Sequence, residues 1–269
     1  MIQRLLTHIA WPVRVLWIAF ALAPNGFGIV AWNLWAVVAI GTWIHHPISL
    51  TTVRCLAPIV VFYSAVYALS ESLNSLNIAV VTCGIISLML MFTADYGSAH
   101  VQAGAYGNER RFLLRIPAPV VLPTLITWAL FATVLVVLEN AVQSENYVLG
   151  IPLLLALIAM IWKFAPQMHR LSKRWLVRVP AGWVVHDDLL LAENLLLRTH
   201  NVTSMQLAPA DTEAIDLSGI TRGVPIEISI RELTDVRLSP LLSKITKTVD
   251  VLHVKQLLVA PNNPSFLQD

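Results

Sequence analysis

Ala118-Pro-Val-Val-Leu-Pro-Thr-Leu-Ile-Thr-Trp-Ala-Leu-Phe-Ala-Thr-Val-Leu-Val-Val-Leu138 is followed, after eight residues, by Tyr147-Val-Leu-Gly-Ile-Pro-Leu-Leu-Leu-Ala-Leu-Ile-Ala-Met-Ile-Trp-Lys-Phe-Ala165. The first stretch holds no charged residue and the second holds only Lys163. A helix needs about 20 mainly apolar residues to cross the hydrocarbon of a bilayer. Both stretches meet that length, and the connector between them carries Glu139, Asn140, Glu145 and Asn146. These two segments decide the class: an α-helical membrane protein.

Working outward, residues 76–94 and 55–71 have the same character. Residues 27–44, rich in Trp and Val, end at His45-His46-Pro47. Residues 5–23 are apolar but carry His8, Pro12 and Arg14, so they either span or lie at the interface with Trp11 and Trp17 at headgroup level. Pro58, Pro123 and Pro152 are expected in or near the first turn of their helices, where proline is tolerated. No cleavable signal is read near residues 15–23, because Ala23-Pro24-Asn25-Gly26 reads as a turn.

Charge sets the expected sidedness. Arg110, Arg111 and Arg115 precede the 118–138 segment, while Lys163, Arg170, Lys173 and Arg174 stand at and beyond the end of 147–165. Positive residues mark cytoplasmic connections, so loop 95–117 and the C-terminus are expected inside. Counting back places loop 45–54, with Arg54, inside as well, and 71–75 outside. Six spans (5–23, 27–44, 55–71, 76–94, 118–138 and 147–165) put Arg4 on the same side. The expected setting is therefore a multi-pass protein of the cell membrane with both termini cytoplasmic.

Composition changes near residue 170. The whole chain is 13% charged, against about 25% in soluble proteins. Residues 1–169 hold seven Lys/Arg and five Asp/Glu; residues 170–269 hold eleven of each. The tail therefore reads as a separate soluble domain. Its short β-rich runs are 175–179, 182–186, 195–198, 202–207 and 249–260, and a last helical turn is expected over 264–269. Ile226, Ile228 and Ile230 alternate with Glu227, Ser229 and Arg231, the period of a half-buried strand. Such a set predicts a small mainly-β domain.

Two resemblances rest on quoted residues. The tail runs Arg174-Trp-Leu-Val-Arg-Val-Pro-Ala-Gly-Trp-Val-Val-His-Asp187, then Val202-Thr-Ser-Met-Gln-Leu207, and closes with Leu257-Leu-Val-Ala-Pro-Asn-Asn-Pro-Ser-Phe-Leu267. It resembles bacterial pleckstrin-homology-type domains, which implies a seven-strand sheet capped by a C-terminal helix. The loop Asp95-Tyr-Gly-Ser-Ala-His-Val-Gln-Ala-Gly-Ala-Tyr-Gly-Asn-Glu-Arg-Arg-Phe-Leu-Leu-Arg115, taken with the tail, resembles a family of uncharacterised actinobacterial multi-span membrane proteins. That family implies no chemistry.

Chemistry-bearing residues are few. Asp95, His100 and Glu109, with His45 or His46, form a candidate metal- or proton-handling loop, although their spacing matches no ligand motif; the plainer reading is a solvated surface loop. Arg110, Arg111 and Arg115 are candidate contacts to anionic lipid, or simple topology signals. Arg14 and Glu71 stand closest to hydrocarbon, where charge marks function by default, unless each sits at an interface. His186-Asp187-Asp188 suits a turn between strands better than acid–base work. Cys55 and Cys83 lie in apolar runs and are expected to stay unpaired. Asn201-Val202-Thr203 matches a glycosylation sequon but is placed inside the cell. No Walker, Gly-x-Ser-x-Gly or Cys-x-x-Cys pattern occurs. Neither a catalytic group, a metal site nor a cofactor is expected, and the net charge of +2 offers nucleic acid no field. The expectation is a non-enzymatic, membrane-anchored interaction module whose partner, a membrane or cytosolic protein, docks on residues 170–269. A solute or lipid transporter, and an enzyme acting on lipid at the cytoplasmic face, are the alternatives.

Overall fold

Apolar runs of this length close their backbone hydrogen bonds internally as helices, and they do so here. The computed structural model describes residues 2–22, 28–71, 74–221, 223–247, 251–264 and 267, without the side chains of residues 2–7, 70, 71, 241, 245 and 246. The turn expected at Pro24-Asn25-Gly26, the side chains of Arg4 and Glu71, and most of the last turn expected over 264–269 lie outside the described residues. The chain divides into two units: Met1–His100 with Thr124–His169, and Val101–Pro123 with Arg170–Asp269.

The first unit is helical. Its elements are α1 (Ile2–Phe20), α2 (Ile29–Trp43), α3 (Pro47–Glu71), α4 (Ser75–Met91) and α5 (Ala94–Gln102), with most of α6 (Ala118–Gln143) and α7 (Tyr147–Ser172). Among the described residues, three helices, α3, α6 and α7, are long and apolar enough to cross a membrane; α4 and α5, bent by 61° at their break, make a fourth if counted as one broken span. Three or four of the six expected spans are thus supported by length and apolarity among the described residues. Helix α2, with 15 residues, and the described residues 8–20 of α1 are shorter apolar helices. On α6 and α7, Leu122, Leu125, Leu130, Leu154, Leu155 and Trp162 are all exposed. An apolar surface of that extent needs lipid or protein to cover it.

Helix α3 begins eight residues earlier than the sequence reading placed it. Pro47 takes the first helical position, where its missing N–H costs nothing, and the His46 ring accepts from Ile48 N at 3.2 Å. Arg54 therefore stands inside a helix rather than in a loop, and Pro58 lies in the helix interior rather than its first turn. Polar groups inside the unit are met by neighbouring backbone. Trp17 Nε1 donates to the Trp35 carbonyl at 3.2 Å and Trp35 Nε1 donates back to the Trp17 carbonyl at 3.1 Å, tying α1 to α2. Trp128 Nε1 donates to the Cys55 carbonyl, joining α6 to α3. At Gly84 a Cβ would meet the Phe20 ring at 2.8 Å, so α1 and α4 pack at glycine distance. Both cysteines are free.

Glu139 is a further correction. The sequence reading put it in a polar connector, whereas α6 runs on to Gln143 and buries it. Its Oε2 accepts from Val30 N at 2.9 Å and its Oε1 from Gln143 Nε2 at 2.9 Å. The carboxylate thus caps the N-terminus of α2, where unpaired N–H groups and the helix dipole favour a negative charge. It occupies the space a Cβ on Gly28 would need. Gly28→Ala is expected to evict the carboxylate and lower stability by about 1–3 kcal/mol, the cost of unmade buried hydrogen bonds. Thermal unfolding in detergent measures this; an unchanged midpoint would show that Glu139 has another place to go.

The second unit is a small β-sheet region. Strands β1 (Arg110–Leu113), β2 (Trp175–Val179), β3 (Gly182–His186) and β4 (Leu195–Arg198) form one antiparallel sheet in that order. Strands β5 (Val202–Leu207), β6 (Ile215–Asp216), β7 (Ile226–Arg237) and β8 (Val251–Val259) form the second, ordered β5-β7-β8-β6, with β6 parallel to β8. Helix α8 (Pro240–Thr246) comes between β7 and β8 in the chain, capped by Ser239 Oγ accepting from Leu242 N. Both sheets feed one core that includes Leu176, Val185, Leu197, Ile226, Ile228 and Leu257.

Segment 95–117, expected as a loop, is α5 followed by an edge strand. Arg110 pairs with Arg178 and Leu113 with Trp175. The strand is clamped further by Leu114 N donating to the Arg174 carbonyl, Arg115 N to the Ala260 carbonyl and Asn262 N to the Leu113 carbonyl, each at 2.8 Å. Leu114 enters the core.

Candidate functional site

The candidate residues of segment 95–115 do not converge. Asp95 is exposed in the first turn of α5, whereas His100 is fully buried near its end. Five residues on an α-helix turn through about 500°, which puts the two on different faces. Glu109 belongs to the other unit, where it accepts from Arg111 Nη2 at 2.9 Å and from Tyr106 N at 3.3 Å. Among the described residues, no three His, Cys, Asp or Glu side chains gather to hold a metal ion. Of the three basic residues, Arg110 is the most exposed. Arg111 lies 4.6 Å above the Trp175 ring, and the Arg115 guanidinium packs against Gly223.

A different polar cluster forms in the helical unit. The break between α4 and α5 frees carbonyls, and Arg54 takes two of them: Nε donates to the Met91 carbonyl and Nη2 to the Thr93 carbonyl, both at 3.1 Å. Arg14 does the same for the end of α2, with Nε donating to the Thr42 carbonyl at 3.1 Å. Cations at helix C-termini are favourable on dipole grounds. The Arg14 guanidinium also stands 4.3 Å from the Trp43 ring and 5.3 Å from the Trp11 ring. The His100 ring packs at a tilt against Tyr96, with centroids 4.4 Å apart, and against His45, with centroids 5.0 Å apart. Its Nδ1 is 3.0 Å from the Tyr96 carbonyl, and its Nε2 is buried without a hydrogen-bond partner among the described residues. Burial, and after it the charge of Arg14, hold the His45 imidazole below its ordinary pKa, so it is neutral at pH 7.

The β unit contains a buried ion pair and an open groove. Arg174 Nε donates to Asp187 Oδ2 at 2.8 Å and Nη2 lies 2.7 Å from the same oxygen, with both side chains 1% exposed. Asp187 Oδ1 accepts from Leu189 N and Leu190 N, the turn role expected of that residue. Arg174 Nη1 donates to the Arg115 carbonyl. One guanidinium therefore joins the approach to α6, the start of β2 and the turn after β3. The groove, about 450 Å³, is lined by Arg178, Val179, Pro180, Trp183, Met205 and Leu267. Its Arg178 is exposed and lies 5.8 Å from the Trp183 ring.

No protein family, curated protein or solved structure matches this chain. The groove and the hydrogen bonds of Arg54 to the Met91 and Thr93 carbonyls were both missed in the sequence. Trp183 and Arg178 read there as ordinary strand residues, since nothing local shows that the β2–β3 turn faces β5. Arg54 was assigned to a loop because its helix was started too late. A usable signal was Pro47, a favoured first helical residue.

Proposed function

We propose that this chain is a multi-pass protein of the cell membrane, with α1, α2, α3, α4 together with α5, α6 and α7 as six passes and both termini cytoplasmic. Its β unit then serves as a non-enzymatic, pleckstrin-homology-like docking module for a protein partner. The membrane part is supported by the exposed apolar faces of α6 and α7. The sidedness is supported by the basic residues at 110–115 and 170–174. The docking role rests on the groove beside Trp183, where an aromatic and aliphatic floor meets one exposed guanidinium. That combination suits a protein segment presenting an apolar side chain next to a carboxylate.

The test keeps the full chain. Wild type and Arg178→Glu are extracted gently from native membranes, and stoichiometric companions are identified by mass spectrometry. A one-to-one partner held by wild type and lost from Arg178→Glu supports the docking role. A partner recovered equally with both, or absent from both, rejects it.

A further inference from the structure

Between β6 and β7 the chain makes a short loop that turns two apolar side chains outward. Leu217 and Ser218 are buried, whereas Ile220 and Val224 are 63% and 55% exposed. Ile220 has φ +58°, a left-handed conformation that a β-branched residue rarely takes. The Asp216 carboxylate holds the loop in this form: Oδ1 accepts from Ser218 N at 2.7 Å and Oδ2 from Ile220 N at 2.9 Å. An isoleucine kept outside, on backbone that asparagine or glycine would fill at lower cost, calls for an apolar cover.

The place of the loop in the β unit says what that cover is. A Cβ on Gly219 would stand 2.7 Å from Pro117 Cβ, and one on Gly223 would stand 2.5 Å from Arg115 Nη1. Ile220 and Val224, each one residue further on, therefore flank residues 115–117, which lead into α6. Pro117 is buried beneath the loop, but Ile116, Val121 and Leu122 are exposed, and all of them belong to the same unit as the loop. The exposed apolar flank of α6 thus starts where the loop presents its two side chains, with a guanidinium beside them, as at a headgroup boundary. We propose that residues 217–224 form a membrane finger, in which Ile220 and Val224 enter the lipid interface beside the start of α6 and pin the β unit to the bilayer surface. The other end of the sheet stays clear. Leu113 pairs with Trp175, so the start of α6 and the end of α7 share one end, and β2 runs on from there to Val179, roughly 13 Å away. The inference rests on the chain lying in a bilayer but not on the docking role of the β unit.

Depth-dependent fluorescence quenching of the full chain in lipid nanodiscs decides it, with phosphatidylcholine and phosphatidylglycerol at equal mole fraction. The background is Cys55→Ala with Cys83→Ala, which keeps the Cys55 carbonyl that Trp128 uses. Single changes Ile220→Cys, Leu125→Cys and Ala181→Cys then carry an environment-sensitive dye, with or without doxyl-labelled lipid as quencher. Leu125 is exposed on α6 and reports the bilayer, and Ala181 is exposed in the turn after β2. The expected result is blue-shifted, quenched emission at 125 and at 220, and neither at 181. Quenching at 125 without quenching at 220, or equal quenching at 220 and 181, would overturn the finger. Absence of quenching at all three positions would refute the bilayer placement and the finger with it, so the two failures are distinct. Ile220→Asn separates insertion from folding, because asparagine accepts left-handed backbone and lacks the apolar group. With the dye at Val224→Cys, it is expected to lower the ratio of inserted to free loop by about tenfold, the scale of one isoleucine withdrawn from apolar surroundings. Its unfolding midpoint in detergent should equal or exceed that of the parent. An unchanged ratio in a folded Ile220→Asn chain would equally sink the proposal.

Discussion

Asp187→Ala is expected to destabilise the β unit by about 3–5 kcal/mol, the range found when one member of a buried ion pair is removed. The size follows from what stays behind. Arg174 is 1% exposed and its Nε and Nη2 both face Asp187 Oδ2, so the variant strands a guanidinium in a dry interior. It also removes the acceptor for Leu189 N and Leu190 N, which shapes the turn after β3. Arg174→Met is expected to cost a similar amount, because it leaves the carboxylate buried and frees the Arg115 carbonyl. The double variant Arg174→Met, Asp187→Leu is expected to lose less than either single change, since no uncompensated charge remains. Denaturant unfolding of the full chain in detergent, followed by Trp fluorescence, measures all three. A loss below about 1 kcal/mol for Asp187→Ala would show that the pair is solvated.

Gly182→Ala comes next, with an expected loss of about 2–5 kcal/mol from backbone strain and overpacking combined. Gly182 has φ +147°, a conformation that side chains other than hydrogen rarely permit. A Cβ there would run into the Leu197 carbonyl oxygen and lie 2.9 Å from both Arg198 Cα and Thr199 N. All three obstacles are backbone at the end of β4, which pairs with Gly182 through Arg198, so no rotamer change can relieve the clash. The variant should detach the last turn of β4 and open the groove that Gly182 borders. Faster amide exchange at Leu197 and Thr199 and loss of partner recovery would be seen together. Ala181→Gly, one residue away, should change stability by less than about 1 kcal/mol. Equal effects at 181 and 182 would mean that the turn, and not the contact with β4, limits this region.

The helices over 118–143 and 147–172 were legible because long uninterrupted apolar runs close their backbone hydrogen bonds as helices, although the sequence reading ended them at 138 and 165. The strand beginning at Ile226 was legible from its alternation, although Glu227, expected on the wet face, is buried and accepts from Thr212 Oγ1. Other elements hid behind context. Strand β1 reads Arg-Arg-Phe-Leu, and its basic start next to an apolar segment looks like a headgroup anchor; its partner β2 is about sixty residues away, beyond any local pattern. Helix α8 is seven residues long, too short to show a period, with Ser239-Pro240 as its one written mark. The cluster around Arg14 and Tyr96 was half visible. Arg14 stood out as a charge near hydrocarbon, but its indole neighbour Trp43 and the phenol of Tyr96 come from separate helices.

The long wait between β1 and β2 bears on how the chain is made. A ribosome delivering about 5–20 residues per second needs roughly 3–12 s to pass from Leu113 to Trp175. During that interval α6 and α7 are made, while Phe112, Leu113 and Leu114 have no sheet to join. The β unit therefore closes after translation of the last helix, in one late step, and shielding of that short basic-apolar segment becomes a task for a chaperone or the bilayer surface. It also follows that a fragment beginning at residue 170 would carry a sheet edge and a core position, that of Leu114, that it cannot fill.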